Sequence, residues 1–433
     1  MMTETTAEHD VWIVVAPGLE RVLCQELVSL GVTTAARSER GGVQIALGDR
    51  ELAAVVLHSR IAESVRVRIM EATAPDERRL DRHLARVQWA RWLGAPFDLR
   101  VDASAKKSRL FHTGLLESHV VEAIRTACRG VRLAADPENA KVRVWIRMEH
   151  DNAVVRVEVG RPRMHRRGWR GAVGVASLRE TIASATLRAA GWAPPTHGEA
   201  HLADPCCGAG TLLIEAASLA TAAPPTRDGP LLLAGVASRW PDSPLAAAWQ
   251  RAEAGANNAA PAKGKARDLA GDASANAGAN AGAKPSLVLW GSDRDKEAVA
   301  ACRVNEAAFG ASSPNAASRV QLHWRAEELS DAIAALPAGA AVICNLPWGR
   351  RTDDDAYVSM RRFAGALRSR RDLGLVAVLD GSGRAKDAGL RGRVALRFEQ
   401  GGVPVSLIVL REAEAVGAPS TGPRKDGPRR YGA

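Results

Sequence analysis

From residue 201 onward, short apolar runs alternate with segments of helical pattern. HLADP, SLVLWGSD, RVQLHW, AAVICNLP and LGLVAVLD each read as a strand that stops at a polar or turn-forming residue before a helix begins. Near-continuous apolar strands need cover on both faces, and the helices between them supply it, so this rhythm dictates a doubly wound, mostly parallel sheet. The last pair, VALRFEQGGVPVSLIVL, reads instead as a hairpin through Gly-Gly-Val-Pro, which brings the expected strand count to seven.

The first 160 residues follow another pattern. VWIVV is a strand, and in the following PGLERVLCQELVSLG the residues Leu19, Val22, Leu23, Leu27 and Leu30 fall on one helical face. GGVQIAL, RELAAVVLHSR and VRVRIMEA add a strand, a helix and a strand, making residues 1–70 a small α+β unit. FDLRVDA, GLLESHVVEAIRTACRG, KVRVWIRMEH and NAVVRVEVG make residues 71–160 a second unit, whose alternating charges mark a solvated sheet face. Residues 161–198 are a basic linker and a helix, and residues 199–412 hold the parallel sheet. The Ala-, Gly- and Asn-rich stretch 252–285 and the tail 413–433 carry too little apolar mass to offset the entropy of ordering, and are expected to be disordered.

The 59 Lys and Arg residues outnumber the 48 Asp and Glu, and the resulting charge of +11 favours a polyanionic partner. Six cysteines (24, 128, 206, 207, 302 and 344) are spread without a CxxC pair or a histidine-rich companion, which argues against a disulfide framework or a metal site and fits a reducing cytoplasm. No stretch reaches the roughly 20 apolar residues of a membrane helix. The opening MMTETTAEHD lacks the basic and apolar regions of a secretory signal.

In HLADPCCGAGTLLIEAA, Gly208 and Gly210 stand at a strand-to-helix turn, flanked by Asp204, Cys206 and Thr211. Glycine there lets a ligand approach the backbone, and the helix start favours anionic groups. The turn lacks the Gly-Lys-Ser/Thr of a nucleotide-triphosphate loop and the third glycine of a dinucleotide fingerprint. The next strand ends in GSDRDKEAV, where Asp293 is placed to accept hydrogen bonds from ribose hydroxyls. The plainer role for Asp293 or Asp295 is a helix N-cap. Finally, AAVICNLPWGRR breaks from an apolar strand into a carboxamide, a proline, a large ring and a glycine, and this combination exceeds what a turn requires.

These residues together resemble the class I, S-adenosylmethionine-dependent RNA methyltransferases that carry a THUMP domain. DPCCGAGTLLIEAA is similar to the family's cofactor loop, GSDRDKEAVAACRVNEAAFG to its ribose-binding strand and helix, and VICNLPWGRR to its Asn/Asp-Pro-Pro-aromatic motif. RRGWRGAVGVASLRETIASATLRAAGW resembles the segment preceding the catalytic domain, while APGLERVLCQEL and KKSRLFHTGLLESHVVEAI resemble its ferredoxin-like and THUMP portions. The likeness covers nearly all of the chain outside the insertion and tail. It implies a C-terminal Rossmann-like class I methyltransferase domain behind α+β ferredoxin-like (1–70) and THUMP RNA-binding (71–160) domains. It further implies S-adenosylmethionine as cofactor, held by Asp204, Cys206, Gly208, Gly210, Thr211 and Asp293.

The implied reaction methylates the N2 amine of a guanosine in structured RNA, tRNA or 23S rRNA, at a motif made by Asn345, Leu346, Pro347 and Trp348. RNA contacts are expected from Lys106, Lys107 and Arg109, from the run Arg161, Arg163, Arg166, Arg167 and Arg170 with His165, and from Arg350. Two departures stand out. Leu346 occupies the place where a second proline is common, and Ala326 the place of an acid that contacts adenine, which leaves the neighbouring Glu327 as the candidate. A covalent cysteine mechanism is disfavoured, since Cys206 and Cys207 lie in the cofactor loop. An adenine-N6 methyltransferase acting on RNA or DNA, and a catalytically silent RNA-binding protein, stay open as alternatives.

Overall fold

A computed structural model describes residues 8–93, 97–136, 140–160, 163–172, 178–221, 225, 245–250, 286–312, 320–347 and 353–412. The expected disordered segments 252–285 and 413–433 lie outside the described residues, as do Arg161, Trp348 and Arg350.

The N-terminal half runs β1 (Glu8–Val14), α1 (Glu20–Ser29), β2 (Arg37–Glu39), β3 (Gly42–Gly48), α2 (Asp49–His58), β4 (Ser64–Thr73), α3 (Glu77–Leu84), the single turn α4 (Trp89–Trp92), β5 (Phe97–Lys106), α5 (Thr113–Ala127), β6 (Val131–Leu133), β7 (Val142–Glu149) and β8 (Asn152–Glu158). All eight strands form one sheet in the order β2-β3-β1-β4-β8-β7-β5-β6. The division expected at residue 70 therefore falls inside β4, which pairs antiparallel with β8 from Arg66↔Glu158 to Thr73↔Asn152. The physical reason is the edge of β4: ten alternating residues would expose a row of unpaired peptide groups, and β8 satisfies them.

Alternation sends Val11, Ile13, Val65, Val67, Val144, Ile146, Val155 and Val157 into a core shared with Leu23 and Leu27 of α1, Leu52 of α2, Leu80 of α3 and Val120 of α5. The opposite face carries Arg66, Arg68, Arg100, Arg143, Trp145, Arg147 and Arg156, all half-buried or exposed.

The C-terminal half contains α6 (Glu180–Ala190), β9 (Glu199–Asp204), α7 (Thr211–Ala220), β10 (Ser286–Asp293), α8 (Lys296–Ser312), β11 (Val320–Ala326), α9 (Leu329–Ala334), β12 (Ala341–Asn345), α10 (Asp353–Arg368), β13 (Val376–Asp380), β14 (Arg393–Gln400) and β15 (Val403–Arg411). Its sheet has the order β11-β10-β9-β12-β13-β15-β14. The first five strands are parallel, and β15 runs antiparallel to both β13 and β14. This is the expected doubly wound sheet with its terminal hairpin. Along β12, Ala341 and Ile343 face the core built with α6, α7 and α8, whereas Val342 and Cys344 face the core built with α9 and α10.

The two halves pack together. Glu399 on β14 donates its N–H to Pro17 O at 3.1 Å, and Gly18 (φ +98°) lies where a Cβ would meet Arg397 O at 2.1 Å. Strand order reverses between β9 and β12, which opens a crevice at their C-terminal ends, the place where open α/β sheets bind ligands.

Candidate active site

Asp204 ends β9 at the floor of this crevice and is 2% exposed. Its carboxylate accepts the Cys206 N–H at 3.1 Å, the Asn345 N–H and the Cys344 thiol. One buried carboxyl thus joins the glycine-rich turn to the end of β12. Burial pushes its pKa up to about 7, the nearby Asp293 charge adds to the rise, and the donated hydrogen bonds oppose it.

The turn has two glycines with different duties. Gly208 (φ +52°) has nothing within 4 Å of where a Cβ would stand, so this is the glycine that leaves the backbone open to a ligand. Gly210 (φ +80°) lies against the protein, where a Cβ would come within 2.8 Å of the Trp324 ring and 3.2 Å of Cys302 Sγ. Trp324 also occupies the space above Gly291 and is fixed by its Nε1–H to Glu306 at 2.7 Å. Asp293, at the tip of β10, takes the Gly208 N–H at 3.1 Å through one oxygen and the Asp295 N–H at 3.0 Å through the other. The helix-capping role belongs to Asp295, which accepts the Glu297 N–H at 2.8 Å.

Glu327 donates its backbone N–H to Asp293 O at 3.1 Å. Its half-buried side chain lines a small pocket with Pro205, Trp290, Ser292 and Arg325. Ala326, in register with Asp293, is exposed.

Asn345 is half-buried at the C-terminal end of β12, beside Asp204; Leu346 is fully buried and Pro347 exposed. Burying the Leu346 side chain ties the backbone at the strand exit to the core. Neither Cys344 nor Cys207 is set up as a nucleophile. Burial pushes the Cys344 thiol well up, and the Cys302 thiol together with burial does the same to Cys207.

The basic linker corrects the sequence expectation. Arg167 is 2% exposed. Its guanidinium meets Glu215 Oε1 at 3.2 Å and Arg60 O at 2.6 Å. Arg170 is half-buried, held by Glu180 at 2.9 Å, Leu178 O at 2.8 Å and the Thr211 hydroxyl at 2.8 Å. Both were expected on RNA, yet both are committed to acids 10 to 48 residues away in sequence. Arg166 is exposed, and Arg163 is half-buried. His165 is held near 4 by burial and the surrounding arginines. Lys106, Lys107 and Arg109 are exposed together at the end of β5.

Lys106 belongs to the open face of the eight-stranded sheet, which sequence reading recognised as solvated but did not assign. Across it Arg68 faces Arg156, Arg156 faces Trp145, and Arg100 faces Arg143. The Arg66 guanidinium lies 3.6 Å from the centre of the Trp145 ring. Trp12 lies flat over Gly42, where a Cβ would stand 2.2 Å from the ring. Acids on the same face relieve part of this repulsion: Arg68 pairs with Asp10 at 2.6 Å and with Glu71, Arg100 with Asp102 at 2.6 Å, and Arg147 with Glu149 at 2.6 Å.

Among protein families, residues 167–363 match the RMKL-like methyltransferase domain and residues 10–66 match the RlmL ferredoxin-like domain. The chain is 27% identical over 405 residues to the Synechocystis sp. protein slr0064, named as an RNA methyltransferase, covering 91% of this chain and 94% of that one. It is 28% identical over 413 residues to the ribosomal RNA large subunit methyltransferase K/L of Syntrophotalea carbinolica, covering 92% of this chain but only 53% of that protein. The present chain thus spans about half of that relative's length. In solved structures, the fold matches SMU.472, described as a methyltransferase in complex with SAH, with a TM-score of 0.73 at 20% identity over 94% of this chain and 99% of that one. The chain thus carries an RMKL-like methyltransferase domain over residues 167–363 and an RlmL ferredoxin-like domain over residues 10–66.

Proposed function

We propose that the protein transfers a methyl group from S-adenosylmethionine to the exocyclic N2 of a guanosine in tRNA or 23S rRNA. The observation that carries this reading is the convergence of Asp204, the open Gly208 backbone, Asp293 and Asn345 at one switch point of the sheet. The residues suit that cofactor. Asp204 offers a buried carboxylate to a cationic group, Gly208 a turn with open space where a side chain would stand, Asp293 acceptor oxygens for ribose hydroxyls, and Glu327 an acid beside a pocket able to meet an adenine amine. When bound there, the cofactor supplies an electrophilic methyl on a sulfonium.

An exocyclic amine is a poor nucleophile because its lone pair is delocalised into the ring. The Asn345 side-chain oxygen and the Leu346 carbonyl accept its two N–H bonds, orient the nitrogen and stabilise the positive charge that develops on it. Pro347 fixes the backbone at the strand exit, and Trp348 stacks on the base. No tuned general base is required, since the amine becomes acidic only after methyl transfer. The reading is tested by incubating the protein with radiolabelled S-adenosylmethionine and total tRNA and rRNA, then analysing the nucleosides. Label in N2-methylguanosine supports it, and label confined to N6-methyladenosine or absent overturns it.

Ionisation of Asp204 gives a second check. Its folded pKa of about 7 stands above the ordinary 3.8. The proton it retains therefore favours the fold fully below about pH 4, a contribution lost as pH rises through about 7. A cationic ligand prefers the ionised form. Cofactor affinity is therefore expected to rise with pH to a plateau above about pH 8, with protons released on binding near pH 6. Calorimetry in buffers of differing ionisation enthalpy measures that release.

RNA would be held by the open sheet face together with Lys106, Lys107 and Arg109. Its arginines are spaced by strand pairing, at about 5 Å, and its tryptophans offer stacking surfaces. Arg147→Ala and Lys107→Ala are each expected to weaken RNA binding and lower the slope of log affinity against log salt by about one. Titrations of labelled RNA between low and moderate salt read both effects.

A further inference from the structure

Asn305, on the inner face of α8, is 0% exposed and saturates every hydrogen-bonding position of its carboxamide. Its Oδ1 accepts the N–H groups of Gly171 and Ala172, both at 2.9 Å. Its Nδ2 donates to Ala172 O at 3.1 Å and to Ala209 O at 3.0 Å. Ala209 is the residue between the two glycines of the crevice turn. One helical turn earlier, the Cys302 thiol donates to Gly208 O at 3.0 Å. From the other side, Arg170 reaches the hydroxyl of Thr211, the first residue of α7.

A leucine or alanine at position 305 would serve the helix and its packing at least as well. Burying a carboxamide is unfavourable unless its partners require it, and here the partners are two backbone segments far apart in sequence. The turn itself contains two glycines and so has little intrinsic preference for one shape. Something outside it must select the conformation that leaves Gly208 open.

We propose that Asn305 is a positioning residue for cofactor binding. It fixes the Ala209 peptide, and with Arg170 it clamps the turn 208–211 to the segment 169–172. That segment follows directly on Arg167, which binds Arg60 O in the N-terminal half, so the same clamp connects the RNA-facing half of the protein to the cofactor turn. The proposal rests on the turn being the cofactor site.

The test compares wild type with Asn305→Asp and Asn305→Leu. Aspartate keeps the acceptor for the Gly171 and Ala172 N–H groups but loses the donors to Ala172 O and Ala209 O, and leucine loses all four contacts. Hydrogen exchange without any ligand is expected to show the amides of 207–210 exchanging about tenfold faster in Asn305→Asp, with β12 and β13 amides unchanged, since the Ala209 carbonyl within the turn is left unsatisfied. Steady-state kinetics is expected to show KM for S-adenosylmethionine raised about tenfold in Asn305→Asp and further in Asn305→Leu, with kcat at saturating cofactor reduced less than threefold. Wild-type protection of the turn in Asn305→Asp overturns the proposal. So does a loss confined to the active fraction, with KM unchanged. A wild-type protein that binds no S-adenosylmethionine removes the cofactor reading, while the exchange measurement still decides whether Asn305 holds the turn.

Discussion

Asn345→Ala is expected to lower methyl transfer by about two to three orders of magnitude while leaving the affinities for S-adenosylmethionine and RNA within about threefold of wild type. The magnitude is that of removing one preorganised polar contact from a developing charge. Asn345 is half-buried, and its backbone N–H, which bonds to Asp204, survives the substitution. Leu346, fully buried, keeps the strand exit in place. Asn345→Asp separates two contributions. It retains an acceptor oxygen and adds a negative charge near the forming cation, so activity above that of alanine is expected. Single-turnover kinetics at saturating RNA and cofactor measures the chemical step. Unchanged turnover in Asn345→Ala would remove this residue from the mechanism.

The position of that motif was legible because it depends on local order. A strand pattern, its last residue, and the Asn-Leu-Pro-Trp that follows are consecutive, and the sheet's hand and order place the end of β12 beside the end of β9. The same holds for Asp204 and Asp293, each at a strand end, and for Gly208 in the turn that follows β9. The duty of Gly210 was not legible. Its Cβ space is filled by Trp324, 114 positions along the chain, and nothing near Gly210 announces that ring. Asn305 was missed for a related reason, because inside a helical pattern an asparagine looks like a surface residue until its partners at 171, 172 and 209 are folded against it.

The arginine run shows the limit of charge reading most plainly. Residues 161–170 contain no acid, and on sequence alone the stretch reads as solvated and RNA-binding. The acids that neutralise it, Glu180 and Glu215, lie on α6 and α7 and reach the linker only through the packing of those helices. In the N-terminal half, the ferredoxin-like unit expected over 1–70 matches a family domain over 10–66, whereas the pairing of β4 with β8 that joins it to the second unit depends on an edge that only the assembled sheet presents.

Arg167→Met is expected to destabilise the protein by about 3–5 kcal/mol, the cost of leaving a buried carboxylate without its partner. Glu215 is 0% exposed. It is held by Arg167, by the Ser184 hydroxyl at 2.5 Å and, more distantly, by Arg60 at 3.8 Å. Arg60 cannot replace the lost cation. Its guanidinium is committed to the Ser218 hydroxyl and carbonyl at 2.8 and 3.0 Å and meets Glu215 only at 3.8 Å. The double substitution Arg167→Met/Glu215→Leu removes both charges together and is expected to recover at least half of the loss, since a buried ion pair contributes little over an apolar pair of similar volume. Denaturant titrations of the four proteins complete the cycle. The outcome also bears on function, because Glu215 lies on the helix that begins at the cofactor turn and Arg167 also binds Arg60 O from the N-terminal half. If the pair serves stability alone, the double variant regains both its midpoint and its cofactor affinity. If it also sets how the two halves meet, stability returns while the affinity for RNA stays reduced.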